Sequence, residues 1–171
     1  EQRTSQLLAL QKITASIQST LDLKEILQQV ANGVVHNLGF DHALIIKVDE
    51  AASVARGMVF ATKDDASRIG DVQEIIRRRL TDIEIPQVRG FSRAVDNAMD
   101  GKATITHDFF EIASAMLSKE ESDAVVHLLS AKTAVLMPLF ARDRHVGSIL
   151  VLTKQEDVGN VLLEPLRILA D

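Results

Sequence analysis

Apolar positions concentrate near the C-terminal end in two short runs, Ala134–Ala141 and Val146–Leu152, separated by Arg142-Asp143-Arg144-His145. Apolar runs of this length bounded by charge read as strands, and the charged tetrad as the hairpin turn between them. A strand wet on one face would alternate apolar with polar residues. These do not, so the sheet is expected to be covered on both faces. Ala43–Val48 and Val54–Thr62 repeat the arrangement across Asp49-Glu50-Ala51-Ala52-Ser53, which predicts a second hairpin.

Elsewhere the spacing is helical. Leu7, Leu10, Ile13, Thr14 and Ile17 recur at three and four. Asp22 is a plausible N-cap with Glu25 at N3, ahead of the stripe Leu23, Ile26, Leu27, Val30, Val34 and Leu38, which ends before Gly39. Between and after the hairpins the predicted elements are short. They are a helix over Asp71–Leu80, a strand over Ile83–Val88 that Pro86 confines to an edge or bulge, and a helix capped by Ser92 and stopped near Gly101. A strand over Ala103–Thr106 follows. Ser118-Lys119-Glu120-Glu121 is a capping box that opens a helix through Val125, Leu128 and Leu129. Leu162–Leu169, with Pro165, predicts a last helix. The order α-α-β-β, mixed short elements, α-β-β-α predicts an α+β fold: one antiparallel sheet sandwiched between helices. The whole of 1–171 reads as a single domain. Segments 1–19 and 161–171 read as terminal helices leading to flanking domains of a longer protein.

Composition narrows the functions rather than the fold. Cysteine is absent, which excludes disulfides, thiolate metal sites, cysteine nucleophiles and thioether-linked cofactors. A net charge of −5 argues against a nucleic-acid surface. No apolar run approaches the length that spans a bilayer, so no membrane contact is expected from this segment. A cytoplasmic location is the default.

Four stretches together resemble a GAF domain, a small-molecule sensor module of histidine kinases, cyclic-nucleotide enzymes and transcription regulators. They are Ser19-Thr20-Leu21-Asp22-Leu23-Lys24-Glu25-Ile26-Leu27, then Leu38-Gly39-Phe40-Asp41-His42-Ala43-Leu44-Ile45-Ile46. The middle match runs from Gly90-Phe91-Ser92-Arg93-Ala94-Val95 through Gly101-Lys102-Ala103-Thr104-Ile105. The last is Met137-Pro138-Leu139-Phe140 with Val146-Gly147-Ser148-Ile149-Leu150-Val151-Leu152. The resemblance covers essentially the whole chain, and none of its motifs is a catalytic signature. It also accounts for Pro138, awkward in a buried strand, where a local bulge is expected. The Asn-Lys-Phe-Asp-Glu set of the cyclic-nucleotide branch is missing. So are the cysteines through which the phytochrome-like branch attaches its bilin and the methionine-sulfoxide-reducing branch works.

The resemblance implies a ligand cavity lined by the strand and middle segments. Met58, Phe60, Arg89, Phe91, Arg93, Val95, His107, Phe109, Met116 and Met137 are its candidate residues, with Phe110 nearby. The plainer reading is that these side chains simply fill a core. Arg89 and Arg93 flank Phe91, where they suit either an anionic ligand or partner carboxylates. Some GAF sensors hold heme through a histidine of the middle region, and His107 lies in a comparable stretch. A solitary histidine at a strand end reads more readily as a surface or hydrogen-bonded group. His36, His42, His107, His127 and His145 show no metal-ligand spacing. Asp64-Asp65 reads as a loop, and Arg77-Arg78-Arg79 as a solvated helix face.

The functional expectation is a sensory or regulatory domain of a multidomain bacterial-type signalling protein. Its output would be a histidine kinase, a diguanylate cyclase or phosphodiesterase, a chemoreceptor or a transcription regulator. It would bind a small ligand and relay through its terminal helices. Leu10, Ile13 and Ile17 form one seam and Leu163, Leu166 and Leu169 another, as in a homodimer. The alternative is a ligand-free dimerisation and relay module. Catalysis by the domain itself is not expected, because its candidate nucleophiles are missing.

Overall fold

The computed structural model describes residues 23–64 and 66–158. The predicted helices over 6–17 and 162–169, the Asp22 cap and both dimer seams lie outside them. Within them, the C-terminal runs pair as β5 (Thr133–Ala141) and β6 (Arg144–Thr153). The turn is tighter than the charged tetrad suggests. Arg144 and His145 already belong to β6, and only Arg142 and Asp143 turn the chain, both left-handed with φ of 52° and 67°. A two-residue loop with both residues at positive φ matches the right-handed twist of the flanking strands.

β1 (His42–Asp49) and β2 (Val54–Thr62) form the other hairpin. β3 (Glu84–Pro86) and β4 (Thr104–Thr106) are three-residue strands on the two edges. The sheet is antiparallel throughout, in the order β3-β2-β1-β6-β5-β4. Pro86 sits on the edge strand, where a missing N–H breaks no inner ladder. Pro138 lies beyond the three β5 residues that pair with β4, so β5 has one strand neighbour there. The irregularity expected at Pro138 falls one residue later, between Leu139 and Phe140.

Both sheet faces are buried, and period-two alternation sorts the strand residues between two cores. Leu44, Ile46, Leu136, Leu150 and Leu152 face one core; Ala43, Ile45, Val135, Met137, Ile149 and Val151 face the other. The second core is closed by α1, the helix over 23–36, through Ala31, Val34 and Val35, with Phe40 below them. Ile26, placed on the buried stripe by spacing, is 57 % exposed, because the face in contact is centred on Ala31 and Val35.

The first core is covered by α2 (Ala66–Ile76), α3 (Arg93–Met99), α4 (Phe110–Ala113) and α5 (Lys119–Leu129). α2 starts earlier than predicted because Ile69 joins Val72 and Ile76 on its buried stripe. It ends at Ile76, since Arg77 turns left-handed with φ of 61°. Leu80 therefore leaves the helix and enters a 3₁₀ turn, Leu80–Asp82, that lies over β2. Gly57 makes this approach possible, because a β-carbon there would collide with the Leu80 carbonyl oxygen. The Ser118–Glu121 capping box is complete in both directions, at 3.1 and 2.9 Å. α5 stops at Ser130, left-handed with φ of 54°. The short helix α4 was not predicted: its four residues are too few to show a period.

Candidate functional site

Between the sheet and the helices of the first core lies an apolar cavity of about 70 Å³. Leu44, Leu150, Leu152 and Phe60 form its sheet side, Ile69, Val72 and Ile76 of α2 and Val125 and Leu129 of α5 its roof. Leu80 and Ile83 close one end; Phe109, Met116 and Leu117 close another. Interiors rarely hold voids larger than a water molecule. Larger grooves exist, but they are mixed in polarity, and lie at the loop end and beside β4.

Of the candidate residues, Phe60, Phe109 and Met116 come together on this wall. The others lie elsewhere. Met137 faces the opposite core and Met58 packs at its margin. Val95 is buried in the first core without lining the cavity. Phe91 is 74 % exposed and borders the open groove beside β4 with Arg93 and Phe110. Arg89 pairs with Asp100 at 2.8 Å, a partner-carboxylate arrangement. His107 is exposed at the end of β4, its Nδ1 3.2 Å from both the Lys132 carbonyl oxygen and Thr133 Oγ1, away from the cavity wall. Among the described residues, no three His, Asp or Glu side chains gather as a metal site.

Sequence reasoning did not single out the polar corner of the cavity, where His42 and Thr62 line the wall and Asp64 lies against them outside it. His42 opens β1 directly opposite Thr62, and its Nδ1 lies 2.8 Å from Thr62 Oγ1. That hydroxyl also accepts from the Asp64 backbone N–H at 2.9 Å, leaving its own hydrogen for His42 Nδ1 and the ring proton on Nε2. Nε2 lies 3.5 Å from Asp64 Oδ2, within ion-pair reach, yet neither atom makes a hydrogen bond. Burial is the main influence on this imidazole and holds its pKa below the ordinary value, against the opposing pull of Asp64 and Asp41. Asp41 has its own work: its Oδ2 accepts from Thr153 Oγ1 at 3.1 Å and from the Lys154 N–H at 2.7 Å, locking β1 to the end of β6. A neutral imidazole and an engaged hydroxyl give the cavity no charge of its own.

The sequence matches no protein-family model and no curated protein. Its structure does match solved structures. A GAF domain/HD domain protein from Geobacter sulfurreducens superposes with a TM-score of 0.63 at 10 % identity, covering 89 % of each chain. Residues 122 to 287 of a methyl-accepting chemotaxis protein give 0.61 at 16 % identity, over 93 % of this chain and 90 % of that one. The phycoerythrobilin-bound GAF domain of a cyanobacterial phytochrome gives 0.60 at 16 % identity, over 95 % and 88 %. The six-stranded antiparallel sheet with its flanking helices is the GAF fold, as the resemblance implied.

Proposed function

We propose that this chain is a sensory or regulatory domain of a signal-transduction protein, responding to a small molecule held in the cavity between the sheet and helices α2 and α5. The observation that carries the reading is that apolar cavity in a GAF fold. Solved domains of the same fold include parts of a chemotaxis protein and of a phytochrome, which supports a signalling role. A ligand that prefers one packing of α2 and α5 over another shifts the population between them. The terminal segments, with the seams at Leu10, Ile13 and Ile17 and at Leu163, Leu166 and Leu169, carry that shift across a homodimer to a flanking output domain. That output is a histidine kinase, a cyclase or phosphodiesterase, a chemoreceptor or a transcription regulator, and the domain is regulatory rather than catalytic. No helix among the described residues is long and apolar enough to cross a membrane, and a cytoplasmic location is part of the proposal.

The small size of the cavity favours a second reading, a ligand-free relay module. Native mass spectrometry of the chain as purified separates them. A bound small molecule that is lost when Val72→Ile narrows the cavity supports sensing. A chain of bare polypeptide mass whose cavity methyls also show no saturable shift with xenon supports the relay.

A further inference from the structure

We infer that the cavity selects a compact, uncharged, apolar molecule, of the size of a diatomic gas or a short hydrocarbon, and rejects anions. The inference rests on the sensory reading above and names the ligand class of that site.

Volume sets the size. An engineered cavity of about 150 Å³ admits benzene, so about 70 Å³ admits roughly three non-hydrogen atoms. Nucleotides, tetrapyrroles and amino acids are all far larger. Wall chemistry sets the polarity. Apart from His42 and Thr62, every lining side chain is hydrocarbon or thioether. Thr62 Oγ1 is engaged with His42 and the Asp64 N–H. His42 is nine-tenths buried, and its Nε2 faces a carboxylate rather than a cation. The charges around that ring are Asp64, Asp41, Lys154 and Arg68. Lys154 and Arg68 are on exposed residues, and Arg68 Nη1 donates to the Leu128 carbonyl. An anion entering here would lose its hydration and meet two carboxylates behind a neutral imidazole, with no buried cation among the described residues to receive it.

The test uses the chain with Ile, Leu and Val methyls labelled for NMR, titrated with xenon as the neutral probe and with propionate as the anionic probe of similar length. The expected result is saturable shifts with xenon confined to the methyls of Ile69, Val72, Val125, Leu129 and Leu152, and none with propionate. Val72→Ile, which adds one methyl group to the wall, is expected to weaken xenon binding about tenfold while other methyls keep their positions. Val125→Ile repeats the test from the opposite helix should Val72→Ile disturb the fold. Absence of any xenon shift in a folded chain overturns the inference. Saturable propionate shifts at these methyls also overturn it, while leaving the sensory reading intact. Xenon binding here, with a full-length protein whose separately assayed output ignores the Val72→Ile change, sinks the sensory reading instead and leaves the ligand class standing.

Discussion

His42, at the corner of the cavity, holds its Nε2 3.5 Å from Asp64 Oδ2, and neither atom has a hydrogen bond. Because burial outweighs the carboxylate, the imidazole is harder to protonate in the folded chain than in the unfolded one. His145 shifts the same way, burial again leading, against a hydrogen bond involving the Gly147 backbone.

The sign follows from proton counting. Above the ordinary histidine pKa of about 6.5 both states are neutral at these rings and they contribute no pH dependence. As pH falls below it, the unfolded chain takes up protons that the folded chain does not, so stability decreases down to the folded pKa. Urea unfolding at a series of pH values from 7.5 to 5 should show that loss, and His42→Gln should show a shallower one. Equal slopes in the two proteins would contradict the role given to His42.

Gly57 is the contact point between β2 and the turn after α2, where a β-carbon would collide with the Leu80 carbonyl. Gly57→Ala should therefore cost about 1–3 kcal/mol, the usual range for forced overpacking. Gly147, similarly pressed against the Ile46 carbonyl, should behave alike. Chemical denaturation measures both. A Gly57→Ala protein as stable as the parent would mean that the turn does not rest on β2.

Arg142 and Asp143 both hold left-handed backbone in the β5–β6 turn. The left-handed conformation costs an ordinary L-residue roughly 1–2 kcal/mol, less for Asn and least for Gly. The double change Arg142→Asn, Asp143→Gly should raise stability by about 1 kcal/mol, read as a higher urea midpoint with an unchanged slope. A lower midpoint would argue for a longer loop.

The architecture was legible because both faces of the sheet are buried, and unbroken apolar runs in β5 and β6 announce that directly. The capping box at Ser118 and the Ser92 cap were legible for a local reason: each is a spacing of three residues with one geometric meaning. Boundaries that depend on tertiary contact were not. α2 ends where Leu80 is drawn over Gly57, and nothing in the period of Asp71–Leu80 says so. The site was less legible than the fold. Candidates chosen as large apolar side chains in the middle segment divided between two cores and the surface, because period-two alternation sends Met137 and Leu136 to opposite faces. His42 had a faint signal in the β1–β2 register. Continued unbroken from Asp49↔Val54, that register would set His42 opposite Ala61. The bulge between Ile45 and Ile46 moves it to Thr62, whose hydroxyl it meets.

The central claim is that occupancy of the cavity is what the rest of the protein reads. The most direct measurement is the output activity of the full-length protein, with and without its ligand, in the parent and in Val72→Ile. The variant must first unfold cooperatively at a midpoint no lower than the parent. The account predicts that the parent's output switches with ligand, while Val72→Ile switches only at about tenfold higher ligand concentration. A Val72→Ile protein that switches at the same ligand concentration and to the same extent as the parent would contradict it.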